Sequence, residues 1–149
     1  LMPDLGLLDN LPSVDGVDIG RMVEAINMRI ELLYDREHTI GHSHFMVLSE
    51  DPTIARLADI FEGQILPLLE EYFFEDWELI AQVLGDNLKP ASLRFIKPKF
   101  KASKIASLMG QEWESQNQRQ AYTRNPVTLQ LAEAYIGIYE QLPLAEVDE

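Results

Sequence analysis

The three histidines of this chain all lie in one short polar stretch, residues 35–44, which reads Asp-Arg-Glu-His-Thr-Ile-Gly-His-Ser-His. Imidazole nitrogens are common zinc ligands, and three of them with a bound water would make an open catalytic site. His38 and His42 have the spacing that places two side chains on one helical face, but Gly41 predicts a turn here. A zinc site at His38, His42 and His44 therefore stays as an alternative interpretation of this stretch.

The same stretch also has the residues of an anion site. A helix N-terminus offers free backbone N–H groups and a partial positive charge to an anion, and a short helix is predicted to begin near Ser43. Arg36 lies a few residues upstream, within reach of a phosphate. The structural alternatives are that Gly41 allows a turn, that His42 bonds a core backbone group, and that Arg36 pairs with a neighbouring carboxylate.

Helical periodicity dominates on both sides of this stretch. Apolar residues at helical spacing predict an α-helix over residues 18–34, capped by Asp18, and a helix over residues 75–84, closed by Gly85. Two more helices are predicted to open at proline, one at Asp51-Pro52-Thr53 with a kink at Pro67, and the last at Asn125-Pro126.

Four aromatic residues lie close together within residues 68–77. They cover most of a helix circumference, which indicates core packing, and the alternative is a subunit interface, where aromatic residues are enriched. The four are Tyr72, Phe73, Phe74 and Trp77.

A basic segment follows in which no acidic residue occurs between Asn87 and Gln111. Residues 94–100 alternate like a strand that Pro98 confines to a sheet edge, and residues 120–123 are its predicted partner. The lysines could protect this edge from aggregation, contact nucleic acid by charge and stacking, or dock an acidic face of a neighbouring subunit. Six of the chain's twelve basic residues lie here: Lys89, Arg94, Lys97, Lys99, Lys101 and Lys104. The last four of these are the candidate interaction surface.

The composition limits the function classes. With 149 residues, 46% of them hydrophobic, the chain is long enough for one domain with a core. A net charge of −13 argues against direct DNA contact by the domain as a whole. The absence of cysteine excludes disulfides and thiolate metal sites, and no apolar run predicts a membrane span.

Three strings in the sequence carry a resemblance to a known family. Ile-Gly-His-Ser at residues 40–43 is followed by Pro-Leu-Leu-Glu-Glu-Tyr-Phe-Phe at residues 67–74, and Ala-Tyr-Ile-Gly-Ile-Tyr-Glu stands at residues 134–140. Together they resemble the carboxy-terminal region of the B subunit of 5-methylcytosine-specific restriction enzymes, the McrB-like AAA+ family. The resemblance covers most of residues 18–140 and is looser after Lys89.

The resemblance implies a mainly α fold, a helical bundle of the AAA+ lid type with a small two-stranded β element. Residues 1–17 would be an irregular lead-in from an AAA+ core that this chain lacks, residues 18–140 the helical lid, and residues 141–149 an acidic tail. The lid would couple nucleotide state to a ring. Its partners would be the AAA+ core, neighbouring ring subunits and an endonuclease subunit, in the cytoplasm.

The resemblance also implies a nucleotide, GTP or ATP with magnesium, in the longer parent protein. The phosphate-binding pattern G-x-x-x-x-G-K-[ST] is absent, and the chain contains no Gly-Lys pair. We therefore expect no catalysis and no bound cofactor from the chain alone.

By resemblance, Gly41, His42 and Ser43 occupy the place of the lid's sensor residue, with Arg36 as a further candidate. The sequence departs from the family at Thr39 and His44, where relatives often have a basic and an aromatic residue. The rival hypothesis from another class is a free-standing helical protein-interaction module without NTPase activity.

Overall fold

The computed structural model describes residues 11–74, 76–110, 112 and 122–141, and this part of the chain is a bundle of six α-helices with one two-stranded sheet. The predicted fold class is confirmed. The helices are α1 Ile19–Leu33, α2 Ile54–Ile60, α3 Leu66–Tyr72, α4 Trp77–Val83, α5 Ala102–Met109 and α6 Ala132–Tyr139. The strands are β1 Ile96–Pro98 and β2 Tyr122–Arg124. Within these ranges, no helix has the length and apolarity needed to cross a membrane.

Helix α1 forms where the sequence predicts it. The Asp18 carboxylate accepts a hydrogen bond from the backbone N–H of Arg21 at 3.2 Å and so caps the first turn. Met22, Ile26 and Ile30 recur at helical spacing and are fully buried. The helix therefore lies against the core along one face.

Helix α2 differs from the prediction at Pro52, whereas the helical path continues through Pro67 as predicted. Pro52 was expected in the first helical position, but α2 begins at Ile54 because Thr53 is the cap, its hydroxyl accepting from the N–H of Arg56 at 3.2 Å. No break occurs at Pro67, which lies in the first turn of α3. A π-helical turn, Phe61–Ile65, joins α2 to α3 just before this proline, and such turns are where helices absorb a local distortion.

The carboxy-terminal half contains two further differences. Helix α5 was not predicted. The last helix was expected to open at Asn125-Pro126, but a 3₁₀ turn, Thr128–Gln130, comes first, and extended Leu131 separates it from α6. The Tyr135 hydroxyl donates to the carbonyl of Leu129 at 2.7 Å, which stabilises this break.

The predicted sheet is present and antiparallel. Ile96 pairs with Arg124, Lys97 with Thr123 and Pro98 with Tyr122. Residues 120 and 121 of the predicted second strand lie outside the described residues, as do Glu75, at the predicted start of the third helix, and residues 142–149 of the predicted tail.

The described part of the predicted lead-in is folded against the bundle. Val14 and Val17 are fully buried and exchange two backbone hydrogen bonds across a tight turn. Asp15 and Gly16 in that turn both have positive φ, 50° and 90°, as a two-residue hairpin turn of this kind requires. Tyr139 at the end of α6 accepts a hydrogen bond from the N–H of Asp18 at 2.8 Å. The chain before α1 is thus fixed to the last helix.

Three aromatic rings form the centre of the core. Phe61, Phe95 and Tyr135 are fully buried, with ring centroids 4.9 to 5.7 Å apart. They come from the π turn, the residue before β1, and α6. This cluster joins the amino-terminal helices to the sheet and to the last helix, and burial raises the pKa of the Tyr135 hydroxyl.

Candidate functional site

The stretch after α1 is shaped by Asp35. Its carboxylate accepts hydrogen bonds from the backbone N–H groups of Glu37 at 3.0 Å and His38 at 2.9 Å, which caps a single 3₁₀ turn, Arg36–His38. The same oxygen lies 2.6 Å from the His38 ring nitrogen. The hydrogen bond to the His38 side chain is the main cause that lowers the pKa of Asp35.

Asn27 fixes the other end of this stretch. It is 5% exposed, on the core-facing side of α1. Its side-chain oxygen accepts from the N–H of Ile40 at 2.6 Å, and its amide nitrogen donates to the carbonyl of Ile40 at 3.0 Å. Asn27 was not singled out from the sequence, although a lone amide among the buried positions of α1 signals that a buried polar partner exists.

The structure places the four predicted nucleotide-facing residues on this fixed segment. Arg36 is exposed, and no ion pair among the described residues involves it. The suggested pairing of Arg36 with a neighbouring carboxylate is therefore absent. Ser43 is also exposed. Gly41 precedes a 3₁₀ helix, His42–Ser49, whose first turn has no side-chain cap.

Gly41 is not required by the local backbone. Its φ and ψ of −79° and 161° are extended values that any residue adopts. A Cβ built at this position would meet no heavy atom within 4 Å. The alternative that Gly41 serves a turn within this chain is therefore not supported, and the missing side chain leaves open space beside the helix start.

His42 does not bond a core backbone group through Nδ1. That atom is buried and has no hydrogen-bond partner in the structure. An unpaired buried polar atom costs about 1–3 kcal/mol, so it calls for a specific explanation.

The three histidines do not form a metal site. His38 is held by Asp35 and stacks on Tyr34, with ring centroids 4.3 Å apart. His44 lies 2.8 Å from the side-chain oxygen of Gln64, on the π turn. Among the residues that the structure describes, no group of three His, Cys, Asp or Glu side chains is arranged to hold a metal ion.

The basic segment separates into two parts. Lys97, Lys99, Lys101 and Lys104 are exposed, which both the edge-protection and the interaction-surface interpretations require. Lys89, which looked like another surface lysine, is 1% exposed, and its ammonium lies 3.1 Å from the Asp86 carboxylate.

Asp86 is the centre of a buried polar cluster. It is 2% exposed and accepts three hydrogen bonds, from the Lys89 ammonium and from the backbone N–H groups of Phe95 and Ile96, all at 2.9 to 3.1 Å. The Lys89 ammonium also lies 4.0 Å from the Phe95 ring centroid. Burial lowers the pKa of Lys89 to about 8, against the opposing effect of Asp86. The cluster joins the end of α4 to β1.

Arg29 lies beside this cluster and packs flat on Gly85. A Cβ at Gly85 would come within 3.1 to 3.4 Å of the Arg29 guanidinium, and Gly85 also has a φ of 75°. Arg29 donates to the carbonyl of Val83 at 3.4 Å, and burial lowers its pKa. The prediction that Gly85 closes the helix predicted over residues 75–84 is confirmed by its left-handed backbone conformation.

The four aromatic residues predicted within residues 68–77 belong to the core only in part. Phe73 is 5% exposed, and Tyr72 and Trp77 are partly buried against the core. Phe74 is 86% exposed and has a φ of 52°, so the core interpretation is wrong for this residue. Phe74 comes after the end of α3 at Tyr72, and its positive φ takes the chain out of the helical path.

The family comparison matches the amino-terminal part of this bundle. Residues 18–81 match the model of the family described as "McrB, alpha-helical lid domain". Residues 18–81 are an McrB-like lid region. They run from the α1 cap into α4 and include Arg36, Gly41, His42 and Ser43, whereas the four exposed lysines lie outside them. No curated protein and no solved structure gives a significant match to the chain.

Proposed function

We propose that this chain serves as the helical lid of a longer McrB-like AAA+ NTPase of a modification-dependent DNA restriction system. The observation that carries the proposal is the match of residues 18–81 to the McrB lid family. In this proposal the lid moves with nucleotide state and passes that movement to neighbouring ring subunits and an endonuclease subunit, in the cytoplasm.

The proposed nucleotide-facing surface is the segment from Arg36 to Ser43. Arg36 has a guanidinium group that no described carboxylate engages, and a guanidinium suits a phosphate oxygen pair. Gly41 leaves open space beside the uncapped start of the His42–Ser49 helix.

The nucleotide in this proposal is GTP or ATP with magnesium, and it would be held mainly by the AAA+ core. A lid without the glycine-rich phosphate loop lacks the backbone N–H cradle that binds the phosphates. The chain's own residues would add a cation and free N–H groups on one side of the phosphates. The chain alone is therefore proposed to bind no nucleotide and to catalyse no reaction.

The two Asn27 hydrogen bonds explain how such a lid could transmit movement. They join Ile40, next to the proposed surface, to the core-facing side of α1. Because both bonds hold the same residue, this part of the segment moves with α1. Contacts made to nucleotide only in the closed position would then shift the lid as a whole, since a ligand shifts a conformational equilibrium through differential contacts.

The test is Arg36→Ala in the parent protein, with hydrolysis of GTP and ATP measured. Loss of a charge-assisted hydrogen bond of about 1.5–3 kcal/mol predicts a roughly 10- to 100-fold fall in kcat/KM. The control is Arg56→Ala on α2, because Arg56 is already engaged by Asp51 at 3.2 Å on a different surface. An Arg36→Ala protein as active as the Arg56→Ala protein would refute the nucleotide-facing role.

The free-standing interaction module remains the second candidate, because large apolar side chains are exposed. Phe74 is 86% and Leu32 85% exposed. One genomic observation distinguishes the lid from the free-standing module. A reading frame that continues upstream into a phosphate-binding loop supports the lid and excludes the free-standing module.

A further inference from the structure

The outer face of α1 carries exposed apolar and acidic side chains. Met28 and Leu32 are 55% and 85% exposed, four residues apart, on the side opposite the buried residues of this helix. Glu24 and Glu31 flank them and are also exposed. No ion pair in the described ranges involves either glutamate. We call these four residues the α1 outer face.

Helix α5 carries the opposite charge. Lys101 caps the helix, and Lys104 and Leu108 follow at helical spacing, so the three side chains share one face. Leu108 and the adjacent Met109 are 61% and 52% exposed. Neither lysine forms an ion pair with a residue that the structure describes. We call Lys101, Lys104, Leu108 and Met109 the α5 face.

The two faces are complementary in chemistry and in length. Each presents two unpaired charges of one sign beside two exposed apolar side chains. Each face extends over nine residues, or roughly 12 Å along its helix at 1.5 Å per residue. The apolar side chains of both faces are exposed within one copy, so both faces are available to a second copy.

We propose that the α5 face of one copy of this chain packs on the α1 outer face of a second copy. The occupant is identified by charge: the segment between Asn87 and Gln111 contains no acid, whereas the whole chain carries a net charge of −13. Two different faces meet, so a single contact repeated head-to-tail generates a ring or a filament, whereas two reciprocal contacts close a two-fold dimer. This inference does not depend on nucleotide binding.

The first test is self-association of the 149-residue chain, measured by sedimentation equilibrium at low salt. Contacts between two short helix faces belong to the class below about 1,200 Å², so a Kd on the order of 0.1 mM is expected. Lys101→Glu with Lys104→Glu, and separately Glu24→Lys with Glu31→Lys, should each raise the Kd by about tenfold or more. Glu50→Lys with Glu71→Lys changes exposed charges elsewhere and should not raise it.

Mixing the two reversed proteins distinguishes a specific contact from a general charge effect. The mixture should associate as the unmodified chain does, because the exchanged charges again attract. Failure of the mixture to associate overturns the proposal. So does an unmodified chain that stays monomeric at about ten times the expected Kd, in which case the two faces serve other partners.

The second test uses the absence of cysteine from the sequence. Leu32→Cys and Leu108→Cys are made in separate proteins, mixed, and oxidised. A mixed disulfide dimer is expected, since disulfides form only when the Cα atoms come within about 7 Å. Leu108→Cys mixed with Val47→Cys, which lies at a 42% exposed position away from α1, is the control. Equal cross-linking of the two mixtures contradicts the proposed pairing.

Discussion

The buried Asp86 carboxylate allows a quantitative prediction. Asp86→Ala removes the acceptor of three hydrogen bonds, one from the Lys89 ammonium at 3.1 Å and two from backbone N–H groups. Lys89, at 1% exposure, would be left as a buried cation without its counter-charge. Breaking such a pair by removing one partner costs about 3–5 kcal/mol.

The assay is urea unfolding at pH 7 followed by circular dichroism. At a slope of roughly 2 kcal/mol per molar urea, the midpoint should fall by about 1.5–2.5 M. Asp59→Ala is a matched control, because Asp59 also pairs with a cation three residues away, Arg56, at 3.9 Å, but at 69% exposure. That control should lower the free energy of unfolding by about 0–1 kcal/mol. Equal costs for the two variants would refute the argument from burial.

If Asp86→Ala does not fold, Lys89→Met provides the second measurement. It removes the buried cation and leaves Asp86 with its two backbone N–H donors. In the Lys89→Met protein Asp86 keeps two of its three hydrogen bonds, whereas Asp86→Ala leaves a buried ammonium and two backbone N–H groups without their acceptor. The Lys89→Met protein should therefore be more stable than the Asp86→Ala protein, and the reverse order contradicts the account.

Two further predictions concern protonation and the Asn27 hydrogen bonds. The folded-state pKa of Lys89, about 8, lies below the ordinary 10.5, so the unfolded chain binds more protons between these two pH values. The unfolding free energy of the unmodified chain should therefore rise by about 3 kcal/mol from pH 8 to pH 10.5, relative to that of the Lys89→Met protein. Parallel pH profiles of unfolding free energy for the two proteins would contradict this. Asn27→Ala should cost about 2–4 kcal/mol in urea unfolding and speed amide exchange around Ile40, since both polar backbone groups of Ile40 lose their buried partner. The control Asn125→Ala removes an exposed hydrogen bond from the backbone N–H of Val127 and should lower the unfolding free energy by less than about 1 kcal/mol. Equal losses of unfolding free energy in the two asparagine variants would argue against the Asn27 contacts.

The sequence predicts those elements whose stability is local. Helix α1 has its cap and its apolar spacing within one segment, and both are confirmed at Asp18 and Ile26. The break at Leu131 could not be predicted from spacing, because it depends on the Tyr135 hydroxyl bonding a carbonyl six residues earlier. The turn at Asp15-Gly16 did have a local signal, since an Asp-Gly pair between valines favours a two-residue hairpin.

In the candidate site, too, the sequence predicts local features and misses those that depend on contacts between distant residues. The exposure of Arg36 and the uncapped helix start after Gly41 are consequences of a short polar segment, and the sequence locates them. Burial of Lys89 was not predictable from its residue type, because it requires Asp86 to meet the backbone of Phe95 in three dimensions. A lysine three residues after an aspartate looks the same in sequence whether the pair is buried or exposed.

The most direct test of the lid proposal is isothermal titration of GTP and of ATP, each with magnesium, into the 149-residue chain and into the parent protein. The account predicts no binding heat from the chain and micromolar or tighter binding by the parent, because the phosphate-binding loop is absent from this sequence. Micromolar binding by the chain alone would contradict the account and would show that residues 35–44 form a complete nucleotide site.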